Sequence, residues 1–170
     1  MKILILDGFT LFQKDLDVAV FENYGEIIYR DRTSRDELKQ VDHSVDVIIT
    51  NKCPIGADDL ALFPNLTLIL VSATGYNIVD VQACKSKGVQ VSNVPNYGTF
   101  SVAQHALAML LNYSNQVDLH EKSVKRGEWS TNQDWSYTLS PIREWYGKTL
   151  GIIGMGNIGQ AFSNMAESLG

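Results

Sequence analysis

The sequence predicts an α/β fold: a five-stranded, doubly wound parallel sheet, a long helix, and one strand-turn-helix unit that opens a second α/β body. Three observations carry this. Short apolar runs alternate with amphipathic segments from the first residues onward, a long stretch of helical periodicity follows, and a glycine-rich turn separates an apolar run from a helical pattern over residues 151–170. Alternating strand and helix signals at this spacing imply a parallel sheet covered on both faces.

The strand candidates are KILIL (2–6), EIIY (26–29), VDVIIT (45–50), LTLILV (66–71) and VQVS (89–92). Between them, Ser34 and Glu37 form a capping box before DELKQ, and Asn77 with Asp80 can cap IVDVQACKSK, so that a helix starts near Asn77. Gly25 and Gly88 suit helix C-termini. Residues 1–98 then form a complete domain whose edge lies near the turn NVPNYG (93–98).

Residues 99–147 form the next segment. Ser101 and Gln104 make a second capping box, and Val102, Ala106, Met109, Leu110, Tyr113 and Val117 recur at helical spacing, predicting one helix of about 25 residues. The following stretch, GEWSTNQDWSYTLSPIREWYGKT, holds all three tryptophans without a clear period. They either pack back onto the chain's own domains or fill a dimer interface, where aromatic side chains are enriched.

Residues 148–170 are expected to be strand, turn and helix. A parallel strand with one helix cannot bury both of its faces, so this unit is expected to be the truncated start of a larger domain and to be poorly anchored by itself.

Composition narrows the function classes. With 45% hydrophobic and 19% charged residues the chain is of ordinary globular type, neither disordered nor fibrous. Its formal charge is −5 and basic residues occur in nothing longer than pairs such as Lys125-Arg126, which leaves no footprint for nucleic acid or an anionic membrane. Apolar runs fall far short of the roughly 18 residues of a membrane span, and MKILILDGF reaches Asp7 too soon for a signal peptide, so a cytoplasmic protein is expected. Cys53 and Cys84 show neither C-x-x-C nor metal-site spacing and read as buried free thiols; a catalytic cysteine would need an activating base that the sequence does not identify.

Two motifs carry chemistry. In Gly154-x-Gly156-x-x-Gly159, which follows TLGIIG and opens NIGQAFSNMAESLG, Gly154 allows a tight turn, Gly156 lets a pyrophosphate approach the backbone, and Gly159 lets helix and strand pack closely. The helix N-terminus offers N–H groups from Asn157 and Ile158 to the phosphates of a dinucleotide. The acidic residue that holds the ribose is expected about 20 residues beyond the glycines, so NAD and NADP both remain open. The second motif is VSATGYNIVD, where a strand ends at Ser72 and Ala73-Thr74-Gly75 follows: successive N–H groups in such a turn can hold a carboxylate, with Gly75 permitting positive φ, or the stretch is a plain connecting turn.

The pattern SATGYNIVD, then NVPNYGTFSVAQHALAMLL, then GKTLGIIGMGNIG resembles the D-isomer-specific 2-hydroxyacid dehydrogenase family, most closely its glycerate dehydrogenase (hydroxypyruvate reductase) branch. The resemblance runs along nearly the whole chain. It implies a flavodoxin-like substrate domain, a long interdomain helix and a Rossmann domain, with the active site in the cleft. It also implies an NAD-linked (or NADP-linked) oxidoreductase acting on a small 2-oxoacid or 2-hydroxyacid, with the substrate carboxylate at the backbone of Thr74 and Gly75. Val102 would lie against the nicotinamide and Gly156 to Ile158 against the pyrophosphate. Family dimers pair through their cofactor domains, which draws Trp129 and Trp135 toward an interface.

In similar enzymes a histidine protonates the keto oxygen, a glutamate tunes that histidine and an arginine holds the carboxylate, all placed after the glycine fingerprint. No catalytic residue is therefore assigned in this chain, and the 170 residues alone are expected to be inactive. His105 is expected to pack near the interdomain seam, and His43 and His120 to be solvated. Gln104 stands where the family often has glutamate, and Asn77 where aspartate is common; Gln104 is still expected to cap and Asn77 to offer an oxygen to its helix. Lys52 either adds positive charge near the substrate or is an ordinary loop lysine. The competing reading is a dinucleotide-binding regulator, like the dehydrogenase-related corepressors. A signalling receiver fails, because Thr50-Asn51-Lys52 stands where its phosphorylatable aspartate belongs.

Overall fold

The structure, a computed structural model, describes residues 1–12 and 16–170. The chain divides into two compact units, Met1–Pro95 and Asn96–Gly170.

In the first unit five strands form one sheet: β1 (Lys2–Ile5), β2 (Glu26–Tyr29), β3 (Val47–Thr50), β4 (Leu68–Val71) and β5 (Gln90–Asn93), in the order β2-β1-β3-β4-β5. Every pairing is parallel, with Ile3 beside Val47 and Val47 beside Leu68. The central strands are rich in Ile, Val and Leu because a parallel sheet buries both faces. Alternation sends Leu4, Ile48 and Ile69 to one face, where they meet Leu38, Ile55, Leu60, Phe63, Val79 and Cys84. It sends Ile3, Ile5, Val47 and Ile49 to the other, beside Phe12, Val18 and Phe21.

The five strands lie within a residue or two of the apolar runs that predicted them, but the crossovers are shorter than expected. Val18–Tyr24, Glu37–Gln40 and Asp59–Leu62 are 3-10 turns, and among the described residues of this unit only α1 (Val81–Ser86) is α-helical. The Ser34–Glu37 capping box forms, with the Ser34 N–H donating to Glu37 at 2.7 Å and the Glu37 N–H to Ser34 Oγ at 3.3 Å. It supports a single turn, since Val41 is already extended on the way back to β3.

The helix expected from Asn77 starts at Val81, capped by Asp80, which accepts from the Ala83 N–H at 2.9 Å. Ile55 pairs with the preceding segment first: its N–H donates to the Ile78 carbonyl and its carbonyl accepts from the Asp80 N–H, each at 2.9 Å. That bridge holds 77–80 out of the helix, so Asn77 does not cap it.

The second unit contains α2 (Thr99–Asn115), α3 (Val117–Lys125) and α4 (Asn157–Glu167), with α2 packed on α4. The single long helix of the sequence reading is two helices. Gln116 adopts the left-handed conformation (φ 48°, ψ 46°), and its N–H donates to the Asn112 carbonyl at 2.8 Å, ending α2 and starting α3. The Ser101–Gln104 capping box does not form either. Asn96, at φ 63°, accepts from the Thr99 N–H at 3.2 Å and starts α2 at Thr99 behind Gly98, which leaves Ser101 inside the helix.

The strand expected before the glycine turn is also absent as a strand: residues 148–154 make no ladder among the described residues, because a strand is defined by hydrogen bonds to a neighbour that this segment does not have. The turn and helix form without it. No helix among the described residues is long and apolar enough to cross a membrane.

Candidate functional site

Because all five strands run parallel, the loops after them gather at one edge of the sheet. In an open sheet of this kind ligands lie outside the carboxyl ends of the strands, around the point where strand order reverses, here between β1 and β3. The loops after β1 and β3 are joined there by Asp7. The residue is only 5% exposed, and its Oδ2 accepts from Thr50 Oγ1 at 3.1 Å and from the N–H groups of Asn51, Lys52 and Cys53 at 2.8, 2.9 and 3.0 Å. Burial pushes the Asp7 carboxyl upward, but the three backbone donors and the Thr50 hydroxyl outweigh it, so the group lies below the usual aspartate value.

From this anchor the next loop is reached through one side chain. Asn51 Nδ2 donates to the Ser72 carbonyl at 2.7 Å, at the end of β4. The turn beyond Ser72 is held from its other side by β5: Asn93 Nδ2 donates to the Thr74 carbonyl at 2.8 Å, the Val94 N–H to the Ala73 carbonyl at 3.1 Å, and Thr74 Oγ1 to the Val94 carbonyl at 3.2 Å. Among the described residues no acceptor takes the N–H of Thr74 or Gly75, and both residues are exposed. The carbonyls of the turn are thus engaged while its donors stay open, an arrangement suited to an anion. Gly75 does not use positive φ, contrary to expectation, because the β5 contacts fix the turn in an ordinary conformation.

In the second unit Gly154 turns the chain at φ 100°, and Gly156 stands at the N-cap of α4 without a capping side chain. Gly159 has no room for a Cβ, which would strike the Gly154 carbonyl, whereas a Cβ on Gly156 would meet nothing within 4 Å. The N–H groups of Asn157, Ile158 and Gly159 find no acceptor among the described residues; the ladder begins with the Gln160 N–H on the Gly156 carbonyl at 2.9 Å. Asn157 Nδ2 donates to Asn96 Oδ1 at 2.6 Å, tying the start of α4 to the turn that precedes α2. Val102 lies exposed in the first turn of α2. Open donors at a helix N-terminus, an unobstructed Gly156 and a close-packed Gly159 fit a pyrophosphate.

Two of the histidines differ from expectation. His43 is half-buried, 3.3 Å from the Leu38 carbonyl and edge-on to Phe63, because it lies in the tight return into β3. His120 is half-buried as well: its Nε2 accepts from the Leu139 N–H at 3.1 Å, which leaves Nδ1 to donate to the Gln116 carbonyl at 2.9 Å. His105 is exposed. Both cysteines are buried free thiols, and burial together with nearby Asp7 and Asp59 pushes Cys53 up to about 11, far from a neutral-pH nucleophile. The Lys52 side chain is exposed and enters no ion pair among the described residues.

The tryptophans divide. Trp145 packs inward, its Nε1 donating to buried Ser114 at 2.7 Å. Trp129 and Trp135 stay exposed, the latter at 89%, around an open recess of about 370 Å³ that also includes Val124 and Tyr137. Sequence reasoning missed Asp7, Asn51 and Asn93 as site-building residues. The available signal was Asp7 directly after an apolar strand, but its partners lie 43 to 46 positions away.

The family model for the catalytic domain of D-isomer specific 2-hydroxyacid dehydrogenases matches residues 3–168. A hydroxypyruvate reductase from Blautia hydrogenotrophica is 43% identical over 173 residues, covering 100% of this chain and 54% of the relative. A glycerate dehydrogenase from Methylorubrum extorquens is 33% identical, covering 99% and 53%. The chain thus spans about half the length of the curated relatives it matches. Among solved structures, D-lactate dehydrogenase from Aquifex aeolicus complexed with NAD and lactic acid shares the fold, with a TM-score of 0.71 at 24% identity over 99% of this chain and 49% of that one.

Proposed function

The chain belongs to the D-isomer specific 2-hydroxyacid dehydrogenases, and from that premise we propose that it supplies the N-terminal portion of an NAD(P)-dependent enzyme that reduces a small 2-oxoacid of the hydroxypyruvate or glyoxylate type. The observation that carries the reading is the pair of donor turns: open N–H groups at Thr74 and Gly75, and at Asn157 to Gly159 behind an unobstructed Gly156. The names of the relatives, hydroxypyruvate reductase, glycerate dehydrogenase and glyoxylate reductase, favour a short polar oxoacid.

In this reading Thr74 and Gly75 hold the substrate carboxylate through two backbone donors, which cost no side-chain entropy to order. Gly154, Gly156, Asn157, Ile158 and Gly159 grip the pyrophosphate, and Val102 shields the nicotinamide from water. The dinucleotide supplies the hydride when bound. The proton donor and its carboxylate partner belong to the portion of the relatives that this chain does not match, so the 170 residues alone hold the ligands without turning them over. The whole enzyme is a homodimer in which Trp129 and Trp135 face the partner, and it works in the cytoplasm.

Amide NMR of the 170-residue chain tests this. Oxalate is expected to shift Thr74 and Gly75, and NADH to shift Asn157, Ile158 and Gly159, with no NADH oxidation when hydroxypyruvate is added. Silence at both turns would remove the proposal; turnover by this chain alone would overturn the inactivity.

A further inference from the structure

The reversal point between β1 and β3, where an open parallel sheet ordinarily takes its ligand, is filled in this protein by a carboxylate of its own. Asp7 behaves there as an internal anion. Among the described residues four bonds to its carboxylate converge on Oδ2, and three of the donors are consecutive backbone N–H groups, those of Asn51, Lys52 and Cys53. Fixing three consecutive peptide groups leaves the loop little freedom, and it fixes the backbone from which two side chains in particular depart. Asn51 reaches across to the Ser72 carbonyl at 2.7 Å and to Ser72 Oγ at 3.2 Å, immediately before the turn with open donors. Lys52, whose peptide N–H is committed to Asp7 at 2.9 Å, carries an exposed ammonium with no ion-pair partner among the described residues. Since Thr50 is paired with Val71, the two loops leave adjacent strands on the same side.

We infer that Asp7 is a positioning residue and Lys52 a specificity-determining residue of the anion site: Asp7 holds the loop after β3 so that the Lys52 ammonium stands beside the open N–H groups of Thr74 and Gly75. The site then recognises small 2-oxoacids, and oxalate as their analogue, which offer a second oxygen next to the carboxylate, in preference to carboxylates without one. The inference rests on the carboxylate grip assigned above to Thr74 and Gly75. A bare turn with two N–H donors distinguishes carboxylates poorly, whereas an ammonium next to it adds a charge-assisted contact to whatever oxygen neighbours the carboxylate. The depressed titration of Asp7 agrees with this role, because the loop keeps its anchor throughout the neutral range.

The sign of one substitution separates positioning from mere proximity of charge. If Asp7 were only a nearby negative charge, Asp7→Asn would relieve repulsion and tighten anion binding. As the anchor of the loop, its replacement by a neutral, weaker acceptor loosens Lys52 and weakens binding. The experiment titrates the 170-residue chain and its variants with oxalate and with acetate, following the amide signals of Thr74 and Gly75.

Lys52→Met is expected to weaken oxalate binding on the order of tenfold and acetate far less, the size expected for a contact to a charged group. Asp7→Asn is expected to weaken oxalate several-fold, with the β-strand amide signals unchanged and those of Asn51 to Cys53 broadened or shifted. Oxalate affinity within twofold of the unaltered chain in Lys52→Met, with Thr74 and Gly75 still responding, would overturn the role of Lys52 and leave the carboxylate grip standing. Tighter binding in Asp7→Asn would overturn positioning. No response at Thr74 and Gly75 in the unaltered chain would remove the grip itself, and this inference with it.

Discussion

Two turns in this protein present open backbone donors, and they are built by opposite means. The turn at 73–76 is fastened by its neighbours: β4 delivers it, Asn51 holds Ser72 from one side, and Asn93 and Val94 hold Ala73 and Thr74 from the other. Its glycine adopts no conformation closed to other residues. The turn at 154–159 joins no sheet among the described residues and is shaped chiefly by glycine, with Gly154 at φ 100° and Gly159 pressed on the Gly154 carbonyl, beside the side-chain bond from Asn157 to Asn96. A donor turn on a sheet can draw its rigidity from side chains far away in sequence, while one that opens a helix outside the sheet draws most of its shape from backbone sterics encoded within a few residues.

The largest effect that follows is at Gly159. Gly159→Ala places a Cβ against the Gly154 carbonyl, a backbone atom that cannot step aside, so α4 must move. A cost of about 1–3 kcal/mol is expected, as for other overpacked sites, read as faster amide exchange throughout Asn157–Glu167 and loss of the NADH-induced shifts. Gly156→Ala is the control: with an ordinary φ of −76° and open space around it, α4 should keep its protection while a pyrophosphate loses its approach. Equal exchange in both variants would show that glycine sterics do not shape this turn.

A smaller effect separates the turns by pH. Asp7 supports the loop that fastens the first turn, and its carboxyl lies below the ordinary aspartate value of about 3.9. A lowered carboxyl gives stability that is fully present above the unfolded value and is lost as pH falls through the folded one. The sheet unit should therefore lose protection at Asn51 to Cys53 as pH drops below about 4, while α4, with no acidic residue in its first turn, holds its exchange pattern over that range. In Asp7→Asn the acid-dependent part should disappear. Acid loss at α4 that tracks the loss at the Asp7 loop would break the distinction.

The contrast also explains what the sequence revealed. The glycine turn was legible because its requirements are local: φ 100° at Gly154, room at Gly156 and contact at Gly159 sit within one hexapeptide. The three central strands were legible for a similar reason, since each is a short, largely buried run of Ile, Val and Leu. Asp7 was not, because the four donors that define it come from residues 50–53, across the β1–β3 boundary of the sheet. The break at Gln116 was hidden too, since nothing but a tertiary path obliges a non-glycine residue to take φ 48° in the middle of a helical pattern. The start of α1 shifted from Asn77 to Val81 because the bridge between Ile55 and Val79 competes for the same backbone groups.

The smallest expected effect probes the first turn directly. Gly75 looks indispensable by analogy with Gly159, yet a Cβ there would meet only the Asn77 Oδ1 at 3.4 Å, an ordinary contact with the end of a side chain, and its φ is not in the left-handed region. Gly75→Ala should therefore change the denaturation midpoint by no more than about 0.5 kcal/mol equivalent. It should also leave oxalate shifts at Thr74 in place, because the bound atoms are peptide N–H groups that alanine also carries. A loss well above 1 kcal/mol would mean that the turn reaches a glycine-only conformation when it is occupied. The two donor turns would then share one construction principle, and the side-chain fastening by Asn51 and Asn93 would be secondary to it.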